Sequence, residues 1–365
     1  MTDATRAAPM SPALAAKVRR VVARSRRFYS APEPGHILVN CKVPAETPPV
    51  PPLLEFDLDR QLGEWLDLNL AADRPRWAVK EGLDDDALPA ACPYFGIAEH
   101  SAWLGLEVRL QEATSLPVPA VNGPDDLGRL TLDEGNRWCR YMREGYEHLR
   151  RRQDGSFLLA VRGTMSPMDL ANAVRGDELF VDLLAEPEFA HRLMAFCLRA
   201  LGWYYPRLVS WADRVEDGQV FLFGGWLGPD CIGHLSNDAA MLCAPEVYGE
   251  FGLPYEREQT AGHGMVLYHA HNQKLHFLPQ LATLPKLALL EISTDPQTPP
   301  PIEDLARIEA ATGSANLRFA ATSDALRAHI GGLTRRNFYL DVRCRDRRDA
   351  EDVLALVRDR SKPLE

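Results

Sequence analysis

No CxxC pair occurs among the seven cysteines, Cys41, Cys92, Cys139, Cys197, Cys231, Cys243 and Cys344. An odd and scattered set of thiols excludes a disulfide-stapled secreted scaffold and a zinc ribbon, and it fits a reducing compartment with mostly buried thiols. No apolar run approaches the roughly 18 residues a bilayer span requires, and the N-terminus lacks the apolar core of a secretory signal. Positive charge is also short. Lys and Arg number 41 against 51 Asp and Glu, and the net charge of -10 repels phosphate backbones, so nucleic acid is not an expected partner. A cytoplasmic protein without membrane association is the expectation. Internal repeats, low-complexity tracts and long linkers are absent too, which favours one domain over two.

What is present is a chain of 365 residues, 46% of them hydrophobic, enough to bury a large core. Short β-rich segments alternate with long helical patterns, the rhythm of βα units on a parallel sheet. Candidate strands lie at 36–41, 157–163, 220–225, 265–269, 287–293, 317–322 and 338–342, and an eighth is expected within 76–98. The expected fold is therefore α/β, a (β/α)8 TIM barrel with an irregular N-terminal extension. Residues 1–34 form that helical extension, whose Arg-rich stretch reads as a solvated amphipathic helix, and 35–365 form the single barrel domain. "SPMDLANAVRG" supplies a capping Ser166, a first-turn Pro167 and a closing Gly176.

The stretch "MVLYHAHNQ" runs from a strand into two histidines one residue apart. Residues i and i+2 of a strand face the same side, so His269 and His271 present both imidazoles to one space, while Tyr268 points the other way, towards the helices. Neutral imidazole is a common zinc ligand. A lone HxH is weak evidence for a metal and, taken by itself, fits hydrogen-bonded active-site or structural histidines better. Cys344, flanked by Arg343 and Arg345 just past the last strand, is a second candidate, since in a closed barrel distant strands converge at one mouth. Glu291 sits inside "LLEIS", where a charge must be paired or ligating, and is a candidate fourth ligand or general base. Asp238 is either an acid of the site or an N-cap. Trp226 and Asp230, after "FLFGG", and Asn272, after the histidines, are candidate substrate-binding residues. His263 and His276 read as turn and helix-surface residues.

Taken together, "GIAEHSAWLGLEV", "GTMSPMDLANAVRG", "DELFVDLLAEPEFAHRLM", "NDAAMLCAPEVYGEFGLPYERE" and "MVLYHAHN" resemble the uroporphyrinogen decarboxylase superfamily from about Phe95 to the C-terminus. They lie nearer its zinc-dependent, corrinoid-linked methyltransferase branch. The resemblance implies zinc at the barrel mouth, held by a His-x-Cys pair and a distant cysteine, which activates a thiol for methyl or alkyl transfer. It places His269 on the family histidine, His271 in place of the first cysteine, and Cys344 near the second. Two histidines and one cysteine would leave the zinc one unit more positive than the family set. A small-molecule thiol or methylated substrate is implied, with a corrinoid on a separate partner protein, because no cobalamin-binding domain is visible. The arginine-bearing "RQAGRY"-type segment of true uroporphyrinogen decarboxylases has no counterpart. A metal-free decarboxylase acting on another carboxylated substrate and a non-catalytic tetrapyrrole- or corrinoid-binding barrel are the alternatives.

Overall fold

A computed structural model describes residues 9–364; the first eight residues of the expected N-terminal extension and Glu365 lie outside the described residues. Seven parallel strands form the central sheet: β1 (Ile37–Lys42), β2 (Thr164–Met165), β3 (Cys231–Ser236), β4 (Met265–His271), β5 (Leu287–Ser293), β6 (Leu317–Thr322) and β7 (Phe338–Arg343). Their spatial order is β1-β7-β6-β5-β4-β3-β2, so the chain steps around the sheet strand by strand and β1 returns beside the last. Helix α1 (Pro12–Ser30) precedes the first strand, and further helices follow the strands, among them α2 (Leu58–Ala78), α3 (Pro167–Arg175), α4 (Pro187–Trp211), α5 (Pro245–Phe251), α6 (Leu253–Thr260) and α7 (Arg347–Arg360).

The arrangement is TIM-like, but eight full strands are not found, and no continuous ladder closes the ring among the described residues. Between β1 and β2 lie a two-residue parallel pair, Ala90–Ala91 with Leu158–Leu159, and a single parallel bridge from Val161 to Phe221. Pro89 and Pro93 flank the first of these pieces and confine it, because proline cannot donate to a ladder. The segment before it is tied to β1 by Asp86 N–H donating to Val39 O and by the Asp86 carboxylate accepting from Val39 N–H.

The expected strands at 265–269, 287–293, 317–322 and 338–342 are present, the first extending through His271. The expectation at 220–225 is corrected. Gly218–Val220 pairs antiparallel with Trp226–Leu227 across a turn that needs the positive φ of Gly224, outside the main sheet. The fourth-position strand is instead "CIGHLS", β3. Two apolar pairs broken by Gly233 and His234 make a weak strand signal beside the apolar "VFLF".

The α1 helix is not a solvated one. Leu14, Val18, Val21 and Val22, at i, i+4, i+7 and i+8, are buried in one cluster with Leu88, Leu158 and Trp226. Its cations meet the acidic run at 84–86: Lys17 Nζ lies 2.5 Å from Asp85 and Arg20 Nε 2.8 Å from Asp84. Helix α3 is capped as expected, Ser166 Oγ accepting from Asp169 N–H and Gly176 ending it with φ +72°. No helix of the described residues is long and apolar enough to cross a membrane.

Candidate metal centre

Strand register assembles the site. Met165, Ser236, His269, Glu291, Arg318, Tyr339 and Leu38 pair in one transverse row, and side chains in such a row share a face. The polar members face the sheet interior. Tyr268 points the other way, as expected, its hydroxyl on Glu256 of α6.

Five acidic and basic side chains, Asp341, Arg318, Glu291, His234 and His269, run through the interior as a chain of contacts. Arg318, 2% exposed, donates to Asp341 through Nε at 2.8 Å and Nη2 at 3.2 Å, and its Nε lies 3.7 Å from Glu291 Oε2. Its guanidinium lies over the rings of Tyr339 and Phe223, 4.6 and 5.6 Å from their centroids. Glu291 Oε2 meets His234 Nε2 at 3.2 Å and its Oε1 meets His269 Nδ1 at 3.2 Å. Burial alone would raise the Glu291 carboxyl, but His234, His269 and Arg318 together hold it well below the usual carboxylate range. Burial lowers His234 despite Glu291. For His269, burial is the largest single influence and opposes charge, but the hydrogen bond to Glu291 together with the charges of Glu291, Asp238 and Asp169 outweighs it, so its net direction is upward.

At the C-terminal end of β4 the second histidine is built in the same way. His271 Nδ1 lies 2.8 Å from Asp295 Oδ1. An ionised carboxylate only accepts, so Glu291 and Asp295 each hold a proton on Nδ1 and leave Nε2 of both rings with its lone pair. Those two Nε2 atoms are 3.2 Å apart, and Asp238 Oδ1 lies 3.5 Å from His271 Nε2. Three acceptors converging without a donor require a cation between them, a proton or a metal ion. Two imidazoles on one tetrahedral zinc, at 2.0–2.1 Å each, have their nitrogens about 3.3 Å apart, so the spacing fits.

Among the described residues, two groups place potential metal ligands within 4.8 Å of one another: His234 with His269 and Glu291, and Asp238 with His269 and His271. The buried Arg318 cation beside Glu291 disfavours a second cation in the first group. The second group, at the open end with Asp238 58% exposed, fits a metal ion better. Asp238 occupies the N-cap position of the short helical turn after β3, but its side chain makes no capping bond; Asn237 Oδ1 accepts from Ala240 N–H instead, and the Asp238 carboxylate faces His271. Asp169 lies behind it, accepting from Ala239 N–H at 2.8 Å and from Ser236 Oγ, and burial with the Asp238 charge pushes it up to about 7.

Cys344 belongs to neither group. Strand alternation sends Tyr339 and Asp341 inward and Val342 outward, and Cys344, with its N–H still donating to Lys42 O, continues the outward set. Its thiol is coupled by a hydrogen bond to that of Cys41, opposite in parity to the inward Asn40. Both thiols line a cavity of about 800 Å³ with Asn40, Lys42, Phe223 and Arg343; Phe223 also packs edge-on against His234.

The three expected substrate-binding residues are placed elsewhere or engaged. Trp226 is buried beneath α1, its indole N–H donating to Val215 O. Asp230 precedes β3 and so sits at the N-terminal end of the sheet, opposite the histidines; its carbonyl accepts from Gly264 N–H. Asn272 is fully buried and staples the loop after β5, donating to Pro299 O and accepting from Asp295 N–H and Thr298 Oγ. It thereby positions Asp295. His263 contacts Asp230 O and His276 donates to Cys243 O, as turn and surface residues. Sequence reasoning missed His234, Asp169, Asp295 and Arg318. The isolated charge in "LRFAAT" was the one available signal for Arg318.

No protein-family profile and no curated protein matches the chain. Among solved structures, a methyltransferase from Methanosarcina mazei is similar to it, with a TM-score of 0.60 at 11% identity over 94% of this chain and 98% of that one. The likeness is one of fold and extends over nearly the whole of both chains.

Proposed function

We propose that this chain is a metal-dependent methyl or alkyl transferase of the uroporphyrinogen decarboxylase superfamily, with a divalent cation, zinc in the first instance, on His269, His271 and Asp238. The observation that carries this reading is the pair of facing Nε2 atoms, each backed by a carboxylate on its own Nδ1. A bound cation lowers the pKa of a coordinated thiol and so supplies a nucleophile at neutral pH. The ligand set is nitrogen and oxygen, with the carboxylate of Asp238 taking the place that the resemblance gave to Cys344. One negative charge is retained, and two imidazoles with one carboxylate leave room for a substrate atom.

The chain's own residues do the rest. Glu291 and Asp295 fix the tautomers of the two histidines, and Arg318 neutralises Glu291 from the far side. The exposed face of Asp238 leaves the approach open to a small thiol. The similarity in fold to a methyltransferase supports transfer of a methyl group, and a corrinoid carrier on another protein is the proposed donor. A metal-free decarboxylase is less well supported, since the guanidinium of Arg318 is already committed to Asp341 and Glu291 and is not free for a substrate carboxylate.

The test is metal analysis with a transfer assay. Protein purified from zinc-supplemented cells is expected to hold about one cation per chain and to methylate a small thiol from a methylated corrinoid. Chelation should abolish the transfer and zinc should restore it. Methylation that is indifferent to chelation, or protein that cannot be loaded with metal, would remove the reading.

A further inference from the structure

We infer that Glu256, on α6 outside the sheet, is a positioning residue that ties the loop bearing Asp238 to the strand bearing His269 and His271. The inference rests on the metal reading above. Glu256 is wholly buried, where an uncompensated carboxylate would be very costly, and it accepts three hydrogen bonds. Tyr248 Oη donates to Oε2 at 2.6 Å. Tyr268 Oη and Asn237 Nδ2 both donate to Oε1, each at 2.7 Å.

The identity of those last two donors gives the carboxylate its role. Tyr268 immediately precedes His269, and Asn237 immediately precedes Asp238. A single oxygen atom thus holds the neighbours of two proposed ligands from separate elements. The tie is needed because the β3–β4 ladder ends at the pair Ser236–His269. Asp238 lies two residues beyond that end and makes no capping bond of its own. Besides Asn237, the loop is held from the other side by Asp169, through Ala239 N–H. Tyr248, the third donor, lies on α5 and adjoins no ligand.

That asymmetry provides the test. Tyr268→Phe and Tyr248→Phe each remove one hydroxyl from the same carboxylate, so a merely structural role predicts similar consequences for both. Metal-depleted full-length protein is titrated with cobalt(II), following its visible absorption, and thermal unfolding is measured in parallel. Tyr268→Phe is expected to weaken cobalt binding about tenfold and to alter the absorption envelope, while Tyr248→Phe stays within about twofold of wild type. Asn237→Ser, which keeps a hydroxyl for Ala240 N–H but loses the amide arm, should behave like Tyr268→Phe and serves if that variant does not fold. Glu256→Gln can still accept from Asn237 and Tyr268 through its oxygen and should bind cobalt nearly as wild type does. Wild-type binding with equal affinities for the two Tyr→Phe variants overturns the role of Glu256 alone. Failure of wild type to bind cobalt overturns the metal reading and this inference with it.

Discussion

The Nε2 atoms of His269 and His271 face each other at 3.2 Å, and each ring is held from behind by a carboxylate, Glu291 for the first and Asp295 for the second. Without a cation between them, two lone pairs at this distance repel. The consequences can be measured.

Asp295→Asn replaces an obligate acceptor with a side chain that can also donate, so the His271 tautomer is no longer enforced. Metal affinity is expected to fall about ten- to a hundredfold. Competition against a chromophoric chelator measures it, and an unchanged affinity would show that Asp295 orients nothing.

Exchange of the candidate ligands separates the structure from the family resemblance. His271→Ala should lose most of the bound metal, whereas Cys344→Ser should retain it, because the Cys344 thiol is turned towards Cys41. His271→Cys supplies a thiolate of suitable reach and should keep the metal. Elemental analysis of the three variants side by side decides between them. Metal lost from Cys344→Ser and kept by His271→Ala would reverse the assignment.

Arg318→Leu removes the buried guanidinium that contacts both Glu291 and Asp341, leaving Glu291 to its two histidines and Asp341 to Asn40 and the more distant Lys42. Breaking a buried pair in this way costs about 3–5 kcal/mol. Urea denaturation should show the loss as a lower midpoint with little change of slope. A change below about 1 kcal/mol would mean that water replaces the arginine.

Glu99, paired with Arg162, gives a pH signature of its own. Burial pushes its carboxyl up to about 7, against the opposing charge of its partner Arg162. A carboxyl raised in the folded state holds its proton more tightly there than in the unfolded chain. Its contribution is therefore complete below about 4.5, its ordinary value, and is lost as pH rises through about 7. Within that window wild-type stability should fall with pH by up to about 1.4 kcal/mol per unit from this group, and Glu99→Gln should flatten the slope. Equal slopes in the two proteins would place the titration elsewhere.

The sequence alone determined the alternation of strands and helices, the four strands from Met265 to Arg343, and the shared face of His269 and His271 with Tyr268 opposite. These are local properties. Apolar runs of five to seven β-forming residues declare themselves as strands, and a period of two assigns side chains to faces whatever the neighbours are. The "CIGHLS" strand escaped because Gly233 and His234 interrupt its apolar pattern, and His234 escaped with it. The pairing of Nε2 atoms, the Asp238 carboxylate as third acceptor, and Glu291 and Asp295 as partners of the two Nδ1 atoms depend on register between strands and on loops stapled by Asn272 and Asn237. Only the tertiary structure decided those. It also decided Cys344: its position just past a strand end suggested the mouth, but a step of one residue beyond Arg343 turns its thiol to the outer face, where the helices and Cys41 take it.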